Sequence, residues 1–175
     1  LEQIQAIAIQ QQATLVEYAV LPSGRILIWV VQPDGTIHST ESDAAALDDS
    51  LEGTVGLFAG LGQNGRGGPP PETPLSDLVQ NTQAALTTGR GGPSDAPAQI
   101  SRQQLDSYFQ QLHSLLVEPI QQWLPTDEQQ RVIFIPHREL FRVPFAALKD
   151  DEGTYLIEKH TLLTAPSIQS LALAR

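Results

Sequence analysis

The sequence predicts an α/β fold, and three stretches carry that prediction. Val132, Ile133, Phe134 and Ile135 form an uninterrupted run of β-branched and aromatic residues, the signature of a strand covered on both faces. Two further apolar segments, Thr14 to Val20 and Ile26 to Val31, flank Pro22-Ser23-Gly24 and read as a hairpin. Between these regions, Leu105, Tyr108, Phe109, Leu112, Leu115, Leu116 and Ile120 recur at helical spacing. Strands alternating with helices imply layered packing.

In chain order, residues 1–12 place Ile4, Ile7 and Ala8 on one side of a short helix. It is either an entry helix of the domain or the end of an upstream helical-repeat region. The hairpin follows, with Trp29 expected as a core anchor among aliphatic neighbours. Pro33-Asp34-Gly35 leads into a weaker third strand, Ile37 to Thr40, which completes an antiparallel meander. Ser42 and Asp43 are then expected to cap a helix carrying Leu47, Leu51, Val55 and Phe58. A helix over about Leu75 to Leu86 is flanked by Gly/Pro-rich stretches at about 60–74 and 89–98, expected to be flexible loops. In the helix from Ser101 to Leu124, Pro119 must kink the chain or start a second helix, and His113 is expected at its boundary or surface. This helix should cross over to the strand at Val132. Beyond Pro136 the chain turns through Leu140, Phe141, Val143 and Pro144, with Phe145 to Leu148 under the sheet edge. Lys149 to Gly153 form an exposed turn, and Tyr155 to Thr164 one or two strands.

Composition restricts the chemistry. The 175 residues include no cysteine, which excludes thiolate catalysis, thiolate metal sites and disulfides in this chain. A net charge of -10 disfavours nucleic acid and anionic membrane surfaces as partners. No run approaches a membrane span, and the start lacks the pattern of a signal peptide, so a cytoplasmic location is expected. The first residue is Leu and methionine is absent, which suggests a piece of a longer polypeptide.

The motifs are mostly formal. Gly60-Leu61-Gly62-Gln63-Asn64-Gly65 fits G-x-G-x-x-G, but a dinucleotide site needs a strand before it and a helix after it. Here a helical pattern precedes and Arg66-Gly67-Gly68-Pro69 follows. The repeated Gly-Arg-Gly-Gly-Pro, at Gly65 and at Gly89, lacks the aromatic interleaving of nucleic-acid-binding segments. No two of His38, His113, His137 and His160 stand at a metal-binding spacing, and Ser167 and Ser170 lack nucleophile-elbow glycines. No metal and no cofactor are expected. The candidate binding residues are His137, Arg138 and Glu139, three ionisable groups just past the carboxyl end of a buried strand, where open α/β sheets carry their functional loops. His137 either orients that loop through a backbone hydrogen bond or lines a substrate pocket.

From Arg131 to Ser167 the chain runs apolar strand, Pro-His-x-x-Leu-Phe-x-x-Pro-Phe-Ala-Ala-Leu, acidic turn, Tyr-Leu-Ile-Glu, apolar strand, Ala-Pro-Ser. This pattern resembles the amino-terminal half of a CHAT domain, the caspase-like module found after tetratricopeptide repeats in many bacterial proteins. Ala13 to Asp34 is similar to that module's opening hairpin. The resemblance implies the amino-terminal portion of a caspase-like three-layer α-β-α sandwich over residues 13–175, and a cysteine peptidase family whose His/Cys pair lies beyond the Ala-Pro-Ser segment. On that basis this chain has no catalytic residue of its own and is the scaffold half of a peptidase. The alternative is a non-catalytic protein-interaction or signalling module. Implied partners are the carboxyl-terminal half of the same domain, upstream helical repeats, and a protein or peptide substrate.

Overall fold

A computed structural model describes residues 2–44, 73–88 and 102–173. They form an α/β structure around a mixed five-stranded sheet of order β3-β2-β1-β4-β5. The strands are β1 (Ala13–Val20), β2 (Arg25–Val31), β3 (Ile37–Asp43), β4 (Arg131–Ile135) and β5 (Thr161–Thr164). β1, β2 and β3 are an antiparallel meander, whereas β4 pairs parallel to both β1 and β5. β1 therefore holds the middle of this sheet, and β4 is paired on both sides, between β1 and β5.

Alternation along the strands sorts the core onto two faces. Val16, Tyr18, Ile26, Ile28, Val132 and Phe134 point to one, where they meet α2 (Pro74–Thr88) and α3 (Arg102–Leu116). Leu15, Val31, Ile133 and Ile135 point to the other, under Ile7 and Ala8 of α1 (Glu2–Gln11) and Ile168 of α5 (Ile168–Leu173). The helix–sheet–helix layering is compatible with a caspase-like sandwich. Gly35, at φ +85°, brings the β2–β3 turn against α1, where Gln5 Nε2 donates to its carbonyl oxygen at 2.8 Å.

Pro119 acts as expected: α3 ends at Leu116 and a 3-10 helix, Glu118–Trp123, follows. Ser42 and Asp43 close β3, in register with Ile26 and Arg25; residues 45–72, with the helix that they are expected to cap, and 89–101 lie outside the described residues. Three expectations are corrected. Trp29 is half-buried rather than a core anchor, because its neighbours Ile28 and Val30 take the fully covered face. Leu156–Lys159 is a helical turn, α4, so only Thr161–Thr164 of the 155–164 segment is a strand. His113 is buried at 7% exposure. Among the described residues no helix is long and apolar enough to cross a membrane.

Candidate functional site

The loop after β4 is positioned from beneath. Phe134 is fully buried, stacked on Phe145 with ring centroids 4.5 Å apart, and Tyr18 of β1 lies 5.8 Å from Phe145. Tyr18 Oη donates to the carbonyl of Leu116 at 2.9 Å, tying β1 to the end of α3. Burial holds this phenol well above its ordinary pKa, so it remains a neutral donor. Proline-directed breaks then keep the chain tight: a 3-10 helix, Arg138–Arg142, is followed by Pro144 and a second one, Phe145–Ala147. Gln83 Nε2 of α2 donates to the Arg142 carbonyl and fixes the far side.

His137 is exposed, yet its Nδ1 accepts the backbone N–H of Val20 at 3.0 Å. An amide can only donate, so Nδ1 carries the lone pair and the proton of the neutral ring sits on Nε2. The imidazole thus links the loop to the carboxyl end of β1, where β1 and β4 have run out of ladder partners. Arg138 adopts φ +54°, an unusual left-handed conformation for a side-chain-bearing residue, and this reverses the chain directly after His137. Arg138 is exposed and Glu139 half-buried, and neither side chain makes a hydrogen bond or ion pair among the described residues. The three residues share one loop at the carboxyl end of the parallel strands, but no second ionisable group is brought to them as a catalytic partner among the described residues.

The turn after this loop is more ordered than its acidic sequence suggested. Asp150, expected to be exposed, is 9% exposed; Oδ1 accepts the N–H groups of Glu152 at 3.0 Å and Thr154 at 2.9 Å, and Oδ2 accepts Lys159 Nζ. The Lys159 ammonium holds its carboxyl below the ordinary aspartate range. Lys149 pairs with Asp106 at 2.7 Å and lies 4.5 Å over the Tyr155 ring, and the Asp106 bond raises its pKa. Asp-x-x-Gly, ending in Gly153 at φ +81°, was the sequence signal that could have revealed this turn.

Among the described residues no group of three or more His, Asp or Glu side chains is placed to hold a metal ion. Residues 106–175, from the middle of α3 through β5 and α5, match the family model of the CHAT domain. The match is consistent with a CHAT-domain fragment. It takes in the whole His137 loop, the Asp150 turn and the strand pair β4–β5, and supports a relation of this segment to a caspase-like peptidase-related domain family. No curated protein matches the chain.

Proposed function

We propose that this chain is the scaffold part of a CHAT module of the caspase-like cysteine peptidase type, whose catalytic His/Cys pair is contributed by polypeptide outside these residues. The observation that carries the reading is the CHAT match over 106–175 in a chain without a single cysteine. A thiolate nucleophile has to come from elsewhere. The outer side of β5 supports this: no strand among the described residues pairs with it, so it can accept the next strand of a larger sheet. In this reading the partners are the carboxyl-terminal half of the domain and upstream helical repeats, the substrate is a protein or peptide, the setting is a bacterial cytoplasm, and His137, Arg138 and Glu139 border the substrate path.

A second reading, a CHAT-like interaction or signalling module without catalysis, draws on His137. Its Nδ1 is engaged by Val20, so the ring acts as a structural acceptor. Co-expression with the polypeptide that continues the gene, followed by a peptide-cleavage assay with and without a thiol alkylator, separates the two. Complex formation with alkylation-sensitive cleavage supports the peptidase; complex formation without turnover supports the adaptor; failure to associate refutes both.

A further inference from the structure

Beside the carboxyl end of α3, away from the His137 loop in its lining residues, there is a pocket of about 220 Å³. His113 lines it from the protein side, 7% exposed, and its imidazole makes no hydrogen bond among the described residues. Glu118, from the 3-10 helix, and Asp151 and Glu152, from the turn before α4, form its exposed rim. Asp150 and Lys159 also face it but satisfy one another. Glu118, Asp151 and Glu152 are thus the carboxylates left to act on a ligand. Burial lowers the His113 pKa, opposed by the nearby Asp150 carboxylate, and keeps the ring neutral near pH 7 with one acceptor nitrogen.

We propose that this pocket receives the guanidinium of an arginine side chain presented by a partner polypeptide, held by Glu118, Asp151 and Glu152 around the acceptor nitrogen of His113. Anions are repelled by the rim, and the side chains do not form a metal cluster. An organic cation is what remains. The acceptors come from three separate segments, α3, the 3-10 helix and the turn before α4, so they are spread around the pocket, which suits the planar five-donor fork of guanidinium better than the point charge of an ammonium. The rim is exposed, so a side chain on another protein surface reaches the pocket without either backbone entering it, and the net charge of -10 draws a basic partner towards this chain. The assignment is independent of whether the His137 loop serves a peptidase or an adaptor.

The test uses the full chain, with His113 imidazole resonances followed by NMR during titration with N-acetyl-arginine N-methylamide. The citrulline analogue, the lysine analogue and free arginine are titrated alongside. The blocked arginine should shift His113 saturably, and the uncharged citrulline analogue should not. Free arginine, whose α-ammonium and carboxylate replace the peptide groups of the blocked form at the same net charge, should bind no more tightly than the blocked form. Glu118→Gln combined with Glu152→Gln, both at exposed positions, should weaken binding at least about tenfold while leaving the fold's NMR spectrum in place. Equal responses to arginine and citrulline analogues, no saturable shift, or unchanged binding by the double variant overturns the site. Tighter binding of the lysine analogue overturns the guanidinium assignment, and tighter binding of free arginine overturns the polypeptide partner.

Discussion

Replacing Phe134 by alanine removes the aromatic ring that joins β4 to the loop above it. The side chain is fully buried, stacked at 4.5 Å on Phe145 and 6.3 Å from Tyr18. Neither neighbour can move into the space: Tyr18 is anchored to the Leu116 carbonyl, and Phe145 sits in a 3-10 turn fixed between Pro144 and Leu148. A cavity that cannot collapse puts the cost at the upper end of the usual range for Phe→Ala, about 4–5 kcal/mol including the lost ring pairs. Whole-domain stabilities are about 5–15 kcal/mol, so the variant should be barely folded or unfolded at room temperature. Denaturant titration of wild type, Phe134→Ala and Phe134→Leu reads this directly, because a change in midpoint at constant slope is a change in stability. Leu163→Ala, on β5 and 45% exposed, is the control and should lose less than about 1 kcal/mol. A Phe134→Ala loss no larger than that of Leu163→Ala would refute the placement of β4 between two covered faces.

Four other outcomes are expected. His137→Ala leaves the Val20 N–H without its acceptor and should cost about 1–2 kcal/mol, with faster hydrogen exchange at that amide; wild-type exchange would show that the link is dispensable. Asp150 has a folded pKa below its unfolded value, so its contribution is present above the unfolded value and is lost as pH falls through the folded one. Asp150→Asn should therefore flatten the acid limb of a stability–pH curve, and an unaltered limb would contradict the Lys159 pairing. His113 and His160 are both held below the ordinary histidine range by burial, so the unfolded chain binds more protons once pH drops below that range; stability should fall there, and less steeply in His160→Gln. The isolated chain, lacking any thiol, should hydrolyse no peptide panel, and turnover abolished by one substitution in this chain would contradict the scaffold reading.

β4 and α3 were legible because their apolar patterns are unambiguous: four consecutive large residues in one, a continuous helical stripe in the other. β3 was half legible. Its polar sequence Ile37–Asp43 owes its strand conformation to seven paired positions on β2, a tertiary constraint that local propensity does not contain. In the run Ile26 to Val31 every residue is apolar, which hides the alternation that turns Trp29 away from Ile28 and Val30. Leu156–Lys159 carries strand-like residues, but its N–H groups are organised by docking: the Leu156 amide donates to the Leu148 carbonyl at 2.8 Å before the chain coils. His113 could have been placed correctly, since it follows Phe109 by four residues and precedes Leu116 by three, both core positions of α3. The His137 loop was legible in position, and the backbone hydrogen bond expected of its imidazole is present; its partner, the Val20 N–H, was not legible, because the two residues stand 117 apart in sequence.

The two margins of the sheet have opposite chemistry. β3 exposes Ser39, Glu41 and Asp43 and buries none of its residues, and Arg25 pairs with Glu41 across it at 3.3 Å. Another chain aligning there would have to strip water from two carboxylates for little apolar gain, so that margin resists unplanned strand pairing. β5 has four residues, none charged, with Leu163 open to solvent. Addition is therefore directional: the sheet can be extended beside β5 while the meander end stays inert. A chain handled without whatever covers β5 should self-associate through that margin alone, and one charged residue in place of Leu163 should suffice to keep it dispersed.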